Sequence, residues 1–301
     1  MSVIEEIMKS AGNAKASDVH ITVGVSPKMR INGNLVTMSF PKMTAKDTLE
    51  IVLGMMTQLQ RERFEEWGEY DMAFSIAGVG RYRVHAYKQK GYVALALRLI
   101  HAQVPSIESL GVPEEVVGLC GKKSGMILVT GASGSGKSTT LAAIVDRINS
   151  NREAHIITLE KPIEYVHQSR MAMINQREIG TDSPSYVDAL RAALREDADI
   201  IVVDELSGAE EIDAAMTAVE TGHLVIAAIQ AGDGPDTMDR LIDAFPLSRQ
   251  KQVGIRLAYA IEALISQQMQ PSIGNRPRTA EFDIVYADDE LRRLLRERKR
   301  V

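Results

Sequence analysis

The sequence predicts an α/β protein in which a parallel-rich sheet is flanked by helices and preceded by a smaller α+β domain. Strand and helix patterns alternate from residue 122 onward, which is typical of a parallel sheet. A glycine-rich loop lies directly between one such strand and the helix after it. The earlier residues lack this alternation, and a turn-rich connection at 101–113 follows them. We therefore expect two domains, residues 1–104 and 105–301.

The N-terminal domain combines one short helix pattern with several strand patterns. Alternating and β-branched runs bounded by turn residues predict its strands. These are expected at 19–23, 28–31, 71–76, 82–87 and 92–99. Without a regular alternation of strand and helix, this mixture indicates an independent α+β module.

The C-terminal domain carries the regular alternation. Strands are expected at 126–130, 155–159, 200–204 and 223–229, and helices at 138–149, 185–196 and 209–220. In such sheets ligands bind at the carboxyl ends of the strands. Residues that directly follow the strands are therefore the first candidates for chemistry.

Residues 131–138 read Gly-Ala-Ser-Gly-Ser-Gly-Lys-Ser and follow the strand at 126–130, and we call them the phosphate loop. Backbone N–H groups in a loop of this kind surround a polyphosphate at the positive end of the next helix. Lys137 would reach the terminal phosphates and Ser138 would ligate Mg²⁺. The pattern predicts binding of a nucleoside triphosphate. Its candidate cofactor-binding residues are Gly131, Ser133, Gly134, Ser135, Gly136, Lys137, Ser138 and Thr139.

Acidic residues follow two of the other predicted strands. The aliphatic run at 200–203 ends in Asp204 and Glu205, which could hold Mg²⁺ through water and polarise an attacking water. The stretch after the strand at 155–159 contributes Glu160 to the nucleotide site and Glu164 as a general base. Solvated loop carboxylates are the alternative at both places. Together with the phosphate loop, these groups indicate hydrolysis of ATP or GTP.

Basic side chains elsewhere could also meet a phosphate. His223 stands where the strand at 223–229 begins, either as a hydrogen-bonded structural residue or as a phosphate sensor on the same sheet edge. Strand alternation places Arg81, Arg83 and His85 on one face, and Arg98 ends another strand. Such arginines either line a solvated face or, supplied by another domain or subunit, stabilise charge during phosphoryl transfer.

Composition argues against several classes of protein. With 40 acidic and 35 basic residues the net charge is −5, so nucleic acid is not an expected partner. The one cysteine, Cys120, excludes an internal disulfide and a multi-cysteine zinc site, as in a reducing cytoplasm. No apolar run reaches the length of a membrane helix, and Glu5 and Glu6 stand where a secretory signal would be cationic. We expect a cytoplasmic protein.

Several motifs together resemble one family. They are Ala16-Ser17-Asp18-Val19-His20, Glu69-Tyr70-Asp71, Gly80-Arg81-Tyr82-Arg83-Val84, the phosphate loop, the acidic loop at 160–164, and the stretches 175–180, 189–197, 221–223 and 291–297. On these residues the chain resembles the PilT retraction ATPases of type IV pili, within the wider type II/IV secretion ATPase superfamily. The last stretch, an amphipathic basic helix expected at 291–300, is similar to the short helix that PilT proteins need for retraction.

The resemblance implies a homo-hexameric ring with a PAS-like N-terminal domain and a RecA-like core that binds ATP and Mg²⁺. Hydrolysis would drive movement at the pilus base, where the ring lies at the cytoplasmic side of the inner membrane. Its partners would be an inner-membrane platform protein and possibly a paralogous motor ATPase. The implied roles are phosphate and Mg²⁺ binding for Lys137 and Ser138, base for Glu164, metal and water support for Glu205, phosphate sensing for His223, and arginine fingers for Arg81, Arg83 and Arg98.

The chain departs from the family pattern near these residues. Lys161 stands where the acidic loop usually has Asp, Asp204-Glu205-Leu206-Ser207-Gly208 replaces Gly-Glu-(Met/Leu)-Arg-Asp, Gln230 replaces the second histidine and Ala198 replaces a proline. Lys137, Glu164 and Glu205 are kept. These departures leave a second hypothesis, a weakly active or inactive paralogue that assists a principal motor. A pilus-extension or secretion ATPase is disfavoured because those enzymes usually carry a four-cysteine zinc insertion.

Overall fold

The computed structural model describes residues 2–76, 79–100, 104–231, 234–270 and 279–297. It divides the chain into two compact units, Met1–Ala102 and Gln103–Val301. This division lies two residues from the predicted boundary between 104 and 105. Residues 101–103 of the predicted connection and 298–300 of the predicted basic helix lie outside the described residues.

The N-terminal unit is an α+β module with one antiparallel sheet. Its described elements are α1 Val3–Asn13, β1 Asp18–Ile21, β2 Lys28–Ile31, β3 Asn34–Thr37, α2 Ala45–Met55, α3 Gln58–Trp67, β4 Glu69–Ile76, β5 Gly80–Gln89 and β6 Tyr92–Ile100. The strand order is β3-β2-β1-β6-β5-β4, and each pairing among the described strands is antiparallel. All the strands predicted for this domain are present.

Two features of this unit were not predicted. One short helix pattern was expected, whereas α2 and α3 add two more helices, each of which begins with a capping box at Thr44 and Thr57. The strand β3 was missed because it has four residues, all exposed. Asn32-Gly33, with positive φ angles at both residues, forms the two-residue turn that pairs β3 with β2.

The C-terminal unit contains a seven-stranded sheet. Its described elements are α4 Glu114–Leu119, β7 Gly125–Thr130, α5 Lys137–Asn151, β8 His155–Glu160, β9 Met173–Glu178, α6 Tyr186–Ala193, β10 Ile200–Val203, α7 Ala209–Glu220, β11 Leu224–Ile229, α8 Gly234–Asp243, α9 Leu247–Ala260, β12 Ile261–Gln270, β13 Thr279–Tyr286 and α10 Asp289–Glu297. The strand order is β13-β12-β7-β11-β10-β8-β9. Only the pairing of β13 with β12 is antiparallel among the described strands, so the predicted parallel-rich sheet is confirmed.

The middle strands of this sheet are buried on both faces. Every residue of β7, β10 and β11 is buried, as expected for aliphatic runs between two layers of helices. Met126 and Leu128 pack into one core and Ile127 and Val129 into another, because side chains alternate across the sheet. The sheet is therefore a rigid support for the loops that leave its ends.

The register of the parallel strands decides which loops meet. Thr130 at the end of β7 pairs with Ile229 at the end of β11, and Val203 at the end of β10 pairs with Leu159 in β8. The phosphate loop, the acidic loop and Asp204 therefore leave the sheet at one edge, which we call the carboxyl edge. The opposite edge, where these strands begin, is the amino edge.

The described part of the last helix, α10, packs on α9 through its leucines. Leu291 and Leu295 are buried, and a Cβ on Gly254 of α9 would lie 2.5 Å from the backbone oxygen of Leu295. Arg292 donates to the carbonyl of Ala258. The amphipathic helix expected here is therefore confirmed for the described residues, and it is docked by its leucines. Among the described helices, none has the length and apolar character needed to span a bilayer.

Candidate nucleotide-binding site

The phosphate loop is built between β7 and α5, and its glycines are required by close packing. Gly136 has φ 91° and directly precedes α5, and a Cβ there would lie 2.9 Å from Nε2 of Gln267. Gly131 has φ 152°, and a Cβ there would collide with the backbone oxygen of Gln267. Any side chain at these positions would push the loop away from β12. The expected strand–loop–helix geometry is present.

Gln267 holds this loop and was not predicted from the sequence. It lies on β12, is 2 % exposed, and its Nε2 donates to the carbonyl of Ser135 at 2.8 Å. Its own Oε1 and the hydroxyl of Ser135 are buried without a hydrogen-bond partner among the described residues. No motif or spacing in the sequence marks Gln267, because its burial and its contact with the loop become visible only in the fold.

The side chain of Lys137 folds back onto the phosphate loop. Its Nζ donates to the carbonyls of Gly131 and Ala132, each at 2.8 Å. Burial lowers the pKa of Lys137, while the nearby charge of Glu205 acts in the opposite direction. The ammonium group therefore lies in the centre of the loop, where the sequence placed a polyphosphate.

Ser138 and Thr139 stand in the first turn of α5. Ser138 lines a cavity together with Glu160, Glu164 and Asp204, which confirms that the acidic loop reaches the edge that carries the phosphate loop. Thr139 is hydrogen-bonded through its Oγ1 to the hydroxyl of Tyr165 at 3.0 Å. Ser133 and Gly134 are exposed at the tip of the loop. The loop residues named from the sequence thus form one continuous loop and first helical turn between β7 and α5.

Glu160 and Glu164 differ in how the protein restrains them. Glu160 accepts hydrogen bonds from Thr158 at 2.6 Å and Gln176 at 2.9 Å, and burial raises its pKa in spite of these donors. The Glu164 side chain lies half-buried in the same cavity and makes no hydrogen bond within the described ranges. The Glu164 carboxylate is therefore available to accept a proton from water, whereas the Glu160 carboxylate is part of a fixed hydrogen-bond network.

Asp204 and Glu205 point to different places although they are neighbours. Asp204 accepts hydrogen bonds from the Tyr186 hydroxyl and, at 2.6 Å, from the Lys161 backbone N–H. Burial raises the pKa of Asp204 to about 7, although both donors favour its charged form. Glu205 is exposed and lines a separate cleft with Gln230. The Asp204 carboxylate, predicted to contact the cofactor, therefore accepts hydrogen bonds from the protein instead. The charge of Glu205, in contrast, is close enough to interact with that of Lys137.

His223 lies at the amino edge, so the expectation that it shares an edge with the phosphate loop is wrong. Its carbonyl accepts from the N–H of Gly125, the first residue of β7. Its Nδ1 is 2.9 Å from the carbonyl of Ala218, so this nitrogen carries the proton and donates. The six residues of β11 separate His223 from the carboxyl edge, about 20 Å at the rise of a strand. Within this chain it is the hydrogen-bonded structural residue.

Arg81, Arg83 and Arg98 belong to the N-terminal unit, whereas the phosphate loop belongs to the C-terminal unit. Tyr82 and its alternate neighbours in β5 are buried, so Arg81 and Arg83 share the other face as predicted. Arg83 pairs with Arg98 across β5 and β6, and Arg98 forms an ion pair with Asp18 at 2.8 Å. Arg81 donates to Ser75 at 3.3 Å. The arginines therefore form one cationic face.

Comparisons with known proteins agree along almost the full length. The family model described as "Type II/IV secretion system protein" matches residues 1–298. The type IV pilus retraction ATPase PilT of Pseudomonas aeruginosa is 38% identical over 296 residues, with 98% of this chain and 86% of the relative covered. The type IV pilus ATPase PilU of the same organism is 36% identical over 281 residues, with 93% and 74% covered.

A solved structure of the pilus retraction motor PilT with bound ADP superposes with a TM-score of 0.92. The two chains are 42% identical, and the match covers 100% of this chain and 87% of the other. Both units of the fold described above are therefore shared with that structure.

Proposed function

The chain belongs to the type II/IV secretion system protein family, and on this premise we propose that it is a PilT-like ATPase that drives retraction of type IV pili. The observation that carries the proposal is the meeting of the phosphate loop with Glu164 in one cavity at the carboxyl edge. ATP is the substrate, and its hydrolysis supplies the mechanical work.

In this proposal the chain binds and orients ATP through the phosphate loop. The backbone N–H groups and the Lys137 ammonium bind the phosphates, and Glu164 accepts a proton from the attacking water. Ser138 and Glu205 offer the hydroxyl and carboxylate oxygens that Mg²⁺ prefers, so these residues fit that ion. When bound, Mg²⁺ neutralises charge on the phosphate oxygens. The Glu164 side chain is half-buried and makes no hydrogen bond to the described residues, which supports its role as base.

The proposal extends to assembly. The chain forms a homo-hexamer at the cytoplasmic side of the inner membrane, where it engages a pilus platform protein. Arg81, Arg83 and Arg98 act as arginine fingers on nucleotide held by a neighbouring copy, which the shared cationic face of β5 and β6 supports. Mixing Arg83→Ala chains with Lys137→Ala chains should restore part of the ATP turnover that each variant lacks alone. Mixtures without recovered turnover would exclude action between copies.

Three measurements test the proposed function and assembly. ATP turnover of the purified protein should far exceed that of Lys137→Ala, and the gene should restore twitching to a piliated strain that lacks its retraction motor. Sizing with and without ATP should detect a hexamer. Turnover without rescue of twitching would reject retraction while it leaves the ATPase activity standing.

A second function, an accessory subunit beside a principal motor, is favoured by the departures at the carboxyl edge. Ser207 and Gly208 replace an Arg-Asp pair, and their N–H groups donate to Glu211 at the start of α7. Gln230 lines the cleft beside Glu205 in place of a histidine. An accessory subunit would bind ATP with turnover no greater than that of Lys137→Ala, and it would raise the retraction force of a PilT motor supplied in the same cell.

A further inference from the structure

We propose that Tyr186, acting through Asp204, is a positioning residue that holds the acidic loop, and with it Glu164, at the carboxyl edge. This inference rests on the proposed ATPase function. It concerns three elements that meet at the Asp204 carboxylate, namely the end of β10, the first residue of α6 and the acidic loop.

The Tyr186 hydroxyl reaches Asp204 from a fixed position. Tyr186 is the first residue of α6 and packs against the large core of the sheet. Ser185, the N-cap, accepts from the N–H of Asp188 at 3.1 Å and so fixes the start of this helix. The ring therefore has little freedom, and its hydroxyl donates to one oxygen of Asp204.

The other oxygen of Asp204 accepts from the backbone N–H of Lys161 at 2.6 Å. Two residues later, the N–H of Ile163 donates to Glu178 at 3.2 Å, and the Ile163 side chain is buried. The acidic loop is thus held at Lys161 and Ile163, and beyond them the N–H of Glu164 donates to Glu160. Gln176 also donates to the carbonyl of Tyr165 at 2.8 Å. If the contact at Lys161 is released, Glu164 loses part of the constraint that sets its distance from the phosphate loop.

The contact at Lys161 depends on the residue at 204, because the donor is a backbone N–H that any residue other than proline would supply at 161. Where the family pattern has glycine at 204, this chain has Asp204. A glycine has no side chain to accept the Lys161 N–H. The Asp204 carboxylate, which directly follows β10, accepts it from the backbone of the acidic loop.

Tyr186 is required because a buried carboxylate is costly without hydrogen-bond donors. Asp204 has two donors among the described residues, and the hydroxyl is the one a substitution can remove while the ring stays. Tyr186→Phe leaves the ring to fill the core and takes away the donor alone. Asp204 would then relax away from its position and release the N–H of Lys161.

The test is steady-state ATP turnover of Tyr186→Phe. We expect kcat to fall on the order of tenfold while KM and nucleotide affinity stay within about twofold, because a shift of the base affects chemistry more than binding. In an Asp204→Ala background, which lacks both acceptor oxygens, the same substitution should have no further effect, since the pair acts as a unit. Tyr259→Phe, at an exposed tyrosine of α9, is the matched control and should change nothing.

Hydrogen exchange of the full chain gives a second readout that does not depend on hydrolysis. The peptide that contains Lys161 should exchange faster in Tyr186→Phe, whereas the peptide that contains α5 should not. Unchanged kcat together with unchanged exchange would overturn the proposal. A parallel loss of affinity, kcat and melting temperature would also overturn it, because it would indicate that the substitution disrupts the fold as a whole. If the wild-type protein shows no turnover, the function fails but the exchange arm still decides whether Tyr186 holds the loop.

Discussion

The two edges of the seven-stranded sheet show how one register separates chemistry from support. At the carboxyl edge, Glu164 lines a cavity, Glu205 lines a cleft, and the Lys137 ammonium lies against the carbonyls of the phosphate loop. At the amino edge, His223 and Lys122 satisfy local partners, a carbonyl of α7 and the carboxylate of Glu262. A residue just before a parallel strand and a residue just after it lie a full strand length apart. Only the residue after the strand can therefore reach the site at the carboxyl edge.

Lys137→Ala should have the largest effect. Removal of the ammonium takes away the charge that the loop directs at a polyphosphate, so we expect ATP turnover to fall more than about 100-fold and nucleotide affinity to fall with it. Phosphate release and calorimetry measure the two quantities. Lys122→Ala removes a lysine at the amino edge and should leave both unchanged. Equal losses in the two variants would abolish the distinction between the edges.

Glu164→Gln tests the base. The amide keeps the size of the side chain but accepts no proton, so kcat should fall about 100-fold or more while nucleotide affinity is nearly unchanged. Single-turnover kinetics would separate chemistry from product release. A large loss of affinity with normal turnover would remove Glu164 from this role.

Gln267→Ala tests the support of the phosphate loop from β12. Without the hydrogen bond to the Ser135 carbonyl the loop is less well fixed, and we expect nucleotide affinity to fall roughly tenfold. Gln268→Ala, at an exposed position of the same strand, is the matched control. Titration with ADP measures both variants, and equal affinities would show that the loop keeps its shape without Gln267.

Asp204→Asn should change the pH dependence of stability. The pKa of Asp204 is raised from 3.8 to about 7 by burial, so the folded state favours its protonated form. Its contribution to stability is therefore full below about pH 4 and is lost as the pH rises toward 7, on the order of 4 kcal/mol. Relative to wild type, the neutral variant should gain melting temperature between pH 5 and 8. The exposed Asp283→Asn should show no such trend.

His223→Ala should have the smallest effect. It removes one hydrogen bond to the Ala218 carbonyl, which we expect to cost about 1 kcal/mol and to lower the melting temperature by a few degrees. ATP turnover should stay at the wild-type value. A loss of turnover as large as that of Glu164→Gln would show that the amino edge also acts on nucleotide.

The parallel sheet could be predicted from the sequence because each aliphatic strand and the loop that follows it are contiguous along the chain. The phosphate loop and the acidic loop were placed on one edge correctly, since both directly follow a predicted strand. β9 was missed because Asn175, Gln176 and Arg177 give it no apolar alternation, and β13 because it is an exposed antiparallel edge strand.

What the sequence could not give is the contact between distant elements. Gln267 and Tyr186 reach the site from β12 and α6, and no spacing pattern links them to residues 131–138 or 204. His223 was misplaced for a different reason, because a motif at the start of a strand was treated as if it stood at the end. To assign a residue to an edge of the sheet, one must determine whether it precedes or follows its strand.

The position of Lys137 has a consequence for ligand discrimination. Two of the three N–H groups of its ammonium donate to carbonyl oxygens of the loop, so an anion meets a positive charge that is already partly satisfied. A single inorganic ion such as sulfate can accept few hydrogen bonds from the loop, whereas a chain of phosphates also accepts from the surrounding backbone amides. We therefore expect the loop to discriminate in favour of long polyanions over simple inorganic anions.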